Sequence, residues 1–236
     1  MRHDSLQRVQ RILLLFLLAL FAVVAFVAAR TAGFGFDDVK ALAPPGSLGP
    51  AWNRTVALVS GHAGNDSGAI CEDASGNVLL TEADVNARIT ELVADQLRRD
   101  GAEVIVLAEF DPRLKGLQAD VMLSIHADSC IDASGYKAAY YSKTLYPTTA
   151  DRLLNCIDDR YPAATALPHH PDTVTHNMTE YHAFREIDPE TPAAIIETGF
   201  LGGDQRLLKD EPGRAARGIV DGLACFLATL EPDAPQ

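Results

Sequence analysis

Basic residues are scarce in this chain of 236, where 20 Lys and Arg stand against 32 Asp and Glu, a formal net charge of −12. Residues 1–30 hold four Arg and one Asp, so the remainder carries −15. So acidic a surface excludes nucleic acid as a partner, because phosphate recognition needs basic patches. Its plain reading is solubility, and salt screens most of its long-range effect. The four cysteines include no C-x-x-C pair, which removes a cysteine-built zinc site. Also missing are H-E-x-x-H, a G-x-S-x-G nucleophile elbow and a phosphate-binding P-loop, and with them three common catalytic chemistries. No internal repeat is present, and no low-complexity tract outside residues 31–53.

What is present is an ordinary globular composition, 47% hydrophobic and 22% charged, in a chain long enough for one sizeable core. The first thirty residues stand apart. Ile12 to Ala29 is an unbroken apolar run of eighteen, preceded by Arg2, Arg8 and Arg11 and followed by Arg30. Eighteen residues just suffice to span a bilayer as a helix. The run exceeds the usual core of a cleaved signal, and no clean cleavage site precedes Arg30, so residues 1–30 read as a membrane anchor rather than a removable signal. On either reading the remainder is exported, leaving the basic N-terminus in the cytoplasm. Residues 31–53, rich in Gly and Pro, read as a linker, and the catalytic candidate occupies 54–236. Four cysteines in an exported domain permit two disulfides, with three connectivities that spacing does not separate.

From Arg54 onward, short apolar strands alternate with longer amphipathic segments. Strands are expected at Val56–Val59, Glu103–Leu107, Val121–Ile125, Tyr136–Tyr141 and Ala193–Ile196. Thr81–Arg99 reads as a helix, since Val85, Ile89, Leu92, Val93 and Leu97 share a face. Thr81 and Asp84 resemble a capping box at its start, and Gly101 is placed to end it. Ala150–Arg160 and Asp210–Leu230, the latter with Pro212 in its first turn, read as further helices. The alternation predicts a single α/β domain, a mostly parallel central sheet flanked by helices on both faces.

Three of the strands end alike. Val56–Ser60 runs into Gly61-His62, Val121–Ile125 into His126-Ala127-Asp128, and Ala193–Ile196 into Glu197-Thr198-Gly199. Ligands of open α/β sheets bind beyond the carboxyl ends of strands, so two imidazoles and a carboxylate delivered there converge. Two histidines and a carboxylate form a catalytic zinc set with a position left open for water. We read the third ligand as Glu82, at the first helical position after Thr81, rather than Glu197. On the residues alone a carboxylate favoured by the helix dipole is the stronger reading of Glu82, and Asp66, Glu72 and Asp73 compete from the intervening loop.

The sequence is similar to the zinc-dependent N-acetylmuramoyl-L-alanine amidases of the type 3 family. The matching pieces are Gly61-His62-Ala63-Gly64-Asn65-Asp66-Ser67-Gly68-Ala69, Thr81-Glu82-Ala83-Asp84-Val85-Asn86, Ser124-Ile125-His126-Ala127-Asp128 and Ile196-Glu197-Thr198-Gly199-Phe200-Leu201. They come in the family's order across residues 54–230. The resemblance implies that His62, Glu82 and His126 bind one zinc ion and that Glu197 is the catalytic acid/base. It implies peptidoglycan as substrate, cut between N-acetylmuramic acid and L-alanine, at the outer face of a bacterial membrane. It leaves open a protein activator. The alternatives are a non-catalytic peptidoglycan-binding regulator, which would not need Glu197, and a zinc peptidase acting on another stem-peptide bond.

Several positions depart from the family pattern. Ala63 replaces a usual Gly, Asp128 stands where Asn is common, and Gly203 lies near a position often held by Asn. The arginine-containing stretch before the strand of His126 is compressed to Asp111–Gly116. Of the four histidines between Leu145 and Glu190, His176 and His182 flank or end the family-like stretch Asn177–His182. They rank above His169 and His170 as substrate contacts, beside Asp128, although a polar loop surface is the plainer reading. If His62 and His126 share a metal, Cys71 and Cys130 come close enough for a disulfide bracing the site, leaving Cys156 and Cys225 as a second pair or as buried thiols.

Overall fold

The computed structural model describes residues 49–230. The apolar run of residues 1–30, most of the predicted linker and residues 231–236 lie outside that range. Among the described residues, no helix is long and apolar enough to cross a membrane. The last five residues of the predicted linker belong to the folded unit. Ala51 is buried, and Asn53 N–H donates to Gly101 O at 3.1 Å.

Among the described residues, seven strands form two sheets. In the main sheet the order is β4 (Glu103–Leu107), β1 (Thr55–Ser60), β5 (Val121–Asp128), β7 (Ala193–Phe200) and β6 (Lys137–Ala139). Every neighbouring pair is parallel except β6 with β7. A separate hairpin, β2 (Ile70–Glu72) and β3 (Val78–Thr81), lies between β1 and the first helix. Its turn is pinned by Asp73 Oδ1, which accepts from Ser75 N–H and Asn77 N–H at 2.8 and 2.9 Å.

Alternate residues along the central strands face opposite layers, as the two-residue period of a strand requires. Val56, Leu58, Leu123, Ile125 and Ile196 pack under three long helices, α1 (Glu82–Arg99), α2 (Pro147–Thr165) and α5 (Pro212–Leu227). Ala57, Val59, Met122 and Ile195 face the other way. There the cover is thinner, with Leu114 from a 3-10 turn and the short helices α3 (His176–Thr179) and α4 (Ala183–Glu186), which contribute Met178, Ala183 and Phe184.

Helix α1 begins and ends where its sequence dictates. The Thr81 hydroxyl accepts from Asp84 N–H at 3.2 Å, while its own O–H donates to Asp84 Oδ2 at 2.7 Å. The short Asp carboxylate therefore holds the cap hydroxyl instead of reaching back to the Thr81 amide as a longer Glu does. Gly101, in the left-handed region at φ +91°, turns the chain out of the helix against the Trp52 ring. The buried face of α1, Val85, Ile89, Val93 and Leu97, recurs at helical spacing.

Two disulfides lock the described residues, and no cysteine among them is free. Cys71–Cys130 ties the β2–β3 hairpin to the loop after β5. Cys156–Cys225 ties α2 to α5. Gly203 has a packing reason, because a Cβ there would lie 2.0 Å from Ala133 O. No larger residue fits where this loop crosses the 131–133 backbone.

Candidate metal centre and its acid/base

The carboxyl ends of β1, β5 and β7 lie side by side, Ser60 beside Ile125 and His126 beside Glu197. This register delivers His62, His126 and Glu197 to one edge of the sheet. Glu82 arrives from the first turn of α1, where its Oε2 accepts from Ala69 N–H at 3.0 Å. His62, Glu82 and His126 form a group whose ligand atoms all lie within 4.8 Å of one another. Glu82 Oε1 is 3.1 Å from both His62 Nε2 and His126 Nδ1. Ligands bound tetrahedrally at zinc distances sit about 3.3 Å apart, so the donor set and its spacing suit that ion.

Glu82, His126 and Glu109 are each only 6% exposed. Burial pushes the Glu82 carboxyl up, but hydrogen bonds from His126 and Ala69 N–H and the two nearby imidazoles outweigh it, leaving the pKa below the ordinary value. Burial pulls His126 down, yet Glu82, Glu197 and Glu109 around it raise its pKa. Carboxylates that draw a proton onto this ring also draw a cation into the pocket.

Two glycines make room for the cluster. A Cβ on Gly61 would lie 2.5 to 2.6 Å from three atoms of the His126 ring. A Cβ on Gly68, itself at φ +60°, would lie 2.6 Å from Glu82 Oε2. His62 holds φ +65°, uncommon for a residue with a side chain and a form of strain that collects at functional sites.

Glu197 sits beside His126 on the neighbouring strand. It is half-buried as a residue, yet its Oε2 is out of solvent and has no hydrogen-bond partner. Burial drives its pKa from 4.5 up to about 7; Glu82 and Asp128 add to the rise and His126 and Lys137 oppose it. A carboxyl poised near neutrality both accepts and donates a proton.

The other residues singled out from the sequence do not join the three-ligand group. Asp66 Oδ1 lies 2.5 Å from His62 Nδ1, on the side of the ring remote from Glu82. Glu72 is exposed and Asp73 serves the hairpin turn. Asp128 Oδ2 accepts from Lys137 Nζ at 2.5 Å, an ion pair whose lysine side chain is only 5% exposed. His182 gives both ring nitrogens to carboxylates, Nε2 to Glu109 at 3.1 Å and Nδ1 to Glu186 at 2.9 Å. Both lie on the ring edge a ligand would need, which is a clamp rather than a free contact. His176 is exposed at the start of α3.

Two buried residues at the site carry no motif. Glu109, two residues past β4, accepts from His62 N–H at 2.9 Å through Oε2 and from Tyr181 O–H at 2.9 Å through Oε1. Burial raises its carboxyl, but the bonds from His182, His62 and Tyr181 and the charge on His126 bring the pKa down to about 2. The strand-end rule that exposes His62, His126 and Glu197 also points to Glu109. Lys137, on the antiparallel edge strand opposite Glu197, has no comparable signal.

A family model described as N-acetylmuramoyl-L-alanine amidase matches residues 56–225, well over half of the chain. The chain belongs to that family. Its relatives include a probable cell wall amidase, LytH of Staphylococcus epidermidis RP62A, 25% identical over 193 residues. That match covers 78% of this chain and 62% of LytH, so this chain spans under two thirds of that relative's length. Among solved structures, an N-acetylmuramoyl-L-alanine amidase of Clostridium difficile 630 superposes with TM-score 0.57 at 22% identity, covering 75% of this chain and 98% of that one. The CwlD amidase of Clostridioides difficile, solved in complex with the GerS lipoprotein, gives TM-score 0.59 at 20% identity, covering 75% and 99%. At such identities the superpositions establish a shared amidase fold, with its central, mostly parallel five-stranded sheet.

Proposed function

We propose that this cell-wall amidase is a zinc enzyme hydrolysing the amide bond between N-acetylmuramic acid and L-alanine in peptidoglycan. The observation carrying the reading is Glu197, a carboxyl of raised pKa with an unpartnered buried oxygen, in register beside the convergent His62, Glu82 and His126. His62 through Nε2, His126 through Nδ1 and Glu82 through Oε1 would hold one zinc ion. When bound there, zinc supplies a Lewis acid for the scissile carbonyl and lowers the pKa of water in the open position. Glu197 accepts the proton of the attacking water and passes it to the amide nitrogen as the carbon–nitrogen bond breaks. The water's hydroxyl thus ends on the carbonyl carbon of the muramic acid lactyl group, and the proton on the new amino terminus of L-alanine.

The exported setting rests on the sequence: residues 1–30 serve as a single-pass anchor and residues 31–53 chiefly as a tether setting the enzyme's reach. Around this centre Asp128, paired with Lys137, and His182, paired with Glu109 and Glu186, serve substrate binding as supports, and the exposed His176 serves it as a contact for glycan or stem peptide. A protein partner, if one is required, has a precedent in CwlD, which was solved in complex with the GerS lipoprotein.

The test is product analysis of residues 31–236 on peptidoglycan, with and without added zinc, against Glu197→Ala. Zinc-dependent release of stem peptides with a new L-alanine amino terminus, lost in Glu197→Ala, is the expected result. Cleavage of a different bond, or none by zinc-loaded protein that still binds the wall, overturns the reading.

A further inference from the structure

We propose that Glu109 is a positioning residue of the metal centre, a single carboxylate that orients both histidine ligands; the inference rests on the zinc reading above. A histidine that gives one ring nitrogen to a metal carries its proton on the other, and an acceptor there fixes the ring. For His62 the metal-side nitrogen is Nε2, and the remote Nδ1 meets Asp66 at 2.5 Å. For His126 the metal-side nitrogen is Nδ1, and the remote Nε2 is buried without a hydrogen-bond partner. The carboxylate oxygen it faces is Glu109 Oε2, at 3.7 Å. A closing movement of about 0.8 Å makes this an ordinary hydrogen bond.

The same Oε2 already accepts from His62 N–H at 2.9 Å, at the residue whose backbone is held in the left-handed region. One oxygen therefore touches the main chain of one ligand and faces the ring of the other. Glu109 is itself immobilised through its second oxygen, by Tyr181 O–H at 2.9 Å and His182 Nε2 at 3.1 Å. Those partners are anchored in turn: Ser124 O–H donates to the Tyr181 oxygen at 3.0 Å, and Glu186 holds His182 Nδ1 at 2.9 Å. The Tyr181 ring closes the group by meeting the His126 ring edge-on, centroids 5.6 Å apart. A glutamate present only to pair with His182 would have no need to reach His62 and His126 with its other oxygen.

The test is the zinc dissociation constant of the full chain in detergent, measured by competition with a chelating indicator, for wild type, Glu109→Gln and Glu109→Asp. Glu109→Gln keeps the size but places a donor or a weaker acceptor against His62 N–H and His126 Nε2. Its zinc affinity is expected to fall about 10- to 100-fold, with the smaller loss in Glu109→Asp, and the visible absorption of the cobalt-loaded protein is expected to shift. A purely structural role would lower the melting temperature and leave the constant of the folded protein unchanged. A folded Glu109→Gln protein binding zinc within about threefold of wild type overturns the inference. Should Glu109→Gln not fold, Glu109→Asp decides, since it keeps the charge but draws the carboxylate back from His62 N–H and His126 Nε2; a loss of several-fold supports the inference and an unchanged constant overturns it. Wild type that binds no zinc brings down the zinc reading and this inference together. Intact zinc binding that ignores Glu109 defeats the inference alone, and a Glu109-dependent affinity without wall cleavage defeats only the proposed reaction.

Discussion

Replacing Glu197 with Gln should remove a pH dependence of stability from the zinc-free protein. The native carboxyl titrates at about 7 instead of 4.5, mainly because of its burial. A displacement of that size corresponds to about 3 kcal/mol, at about 1.4 kcal/mol for each tenfold change in proton affinity. The sign follows from proton counting. Between pH 4.5 and 7 the native state keeps a proton that the unfolded chain releases, so this group makes stability fall as pH rises through that window. Above about 7 both states are ionised and the loss is complete. Glutamine has nearly the same shape and cannot ionise. The stability of Glu197→Gln relative to wild type should therefore rise by about 3 kcal/mol from acid to about pH 8. Urea unfolding of both proteins, stripped of metal and followed by far-ultraviolet circular dichroism at several pH values, measures it, and the difference cancels the groups the two share. A difference that stays flat within about 0.5 kcal/mol across the window would refute the raised native pKa and the burial argument behind it.

Each disulfide closes a long loop, 59 residues for Cys71–Cys130 and 69 for Cys156–Cys225. Replacing either pair with serine should cost about 2–4 kcal/mol in urea unfolding. Only the Cys71/Cys130 replacement should also weaken zinc binding, because only that bridge ties the hairpin leading into Glu82 to the loop after His126. Gly61→Ala puts a methyl group 2.5 Å from the His126 ring and should reduce zinc affinity about tenfold or more by displacing it, read by indicator competition. Lys137→Leu strips the partly exposed Asp128 of its cation and should destabilise the fold by about 1–3 kcal/mol, seen as a lower urea midpoint.

Much of this molecule is legible along the chain. The apolar spacing of α1, its Thr81 cap and its Gly101 exit are local signals, and the helix follows them within a residue. Strand β4 falls on the predicted residues, and β5 and β7 run on past theirs because parallel pairing continues through His126 and Glu197. Helix α2 starts at Pro147, ahead of Ala150, since a proline is tolerated in a first turn, and it also runs past Arg160 and through Pro162 to Thr165. Strand ends, fixed by local pattern, point to His62, His126 and Glu197, whereas the choice of Glu82 over Asp66, Glu72 and Asp73 rests on the family-like motifs.

Other features depend on distances through space. The antiparallel pairing of β6 brings Lys137 opposite Glu197 and within reach of Asp128, and no periodicity encodes an edge strand's direction. Residues 49–53 look like linker by composition, yet the contact of Trp52 with Gly101 folds them into the domain. The disulfide partners follow from which loops meet, not from how far apart the cysteines lie in sequence. His182 is one polar residue among many until Glu109 and Glu186 close on its two nitrogens. By itself the sequence determined the α/β layout and, through its likeness to a family, singled out the candidate metal set and the candidate acid/base, all of them carried by short motifs. Only the tertiary structure decided what surrounds them, since burial, pKa and the hold of Glu109 on two histidines arise from residues far apart along the chain.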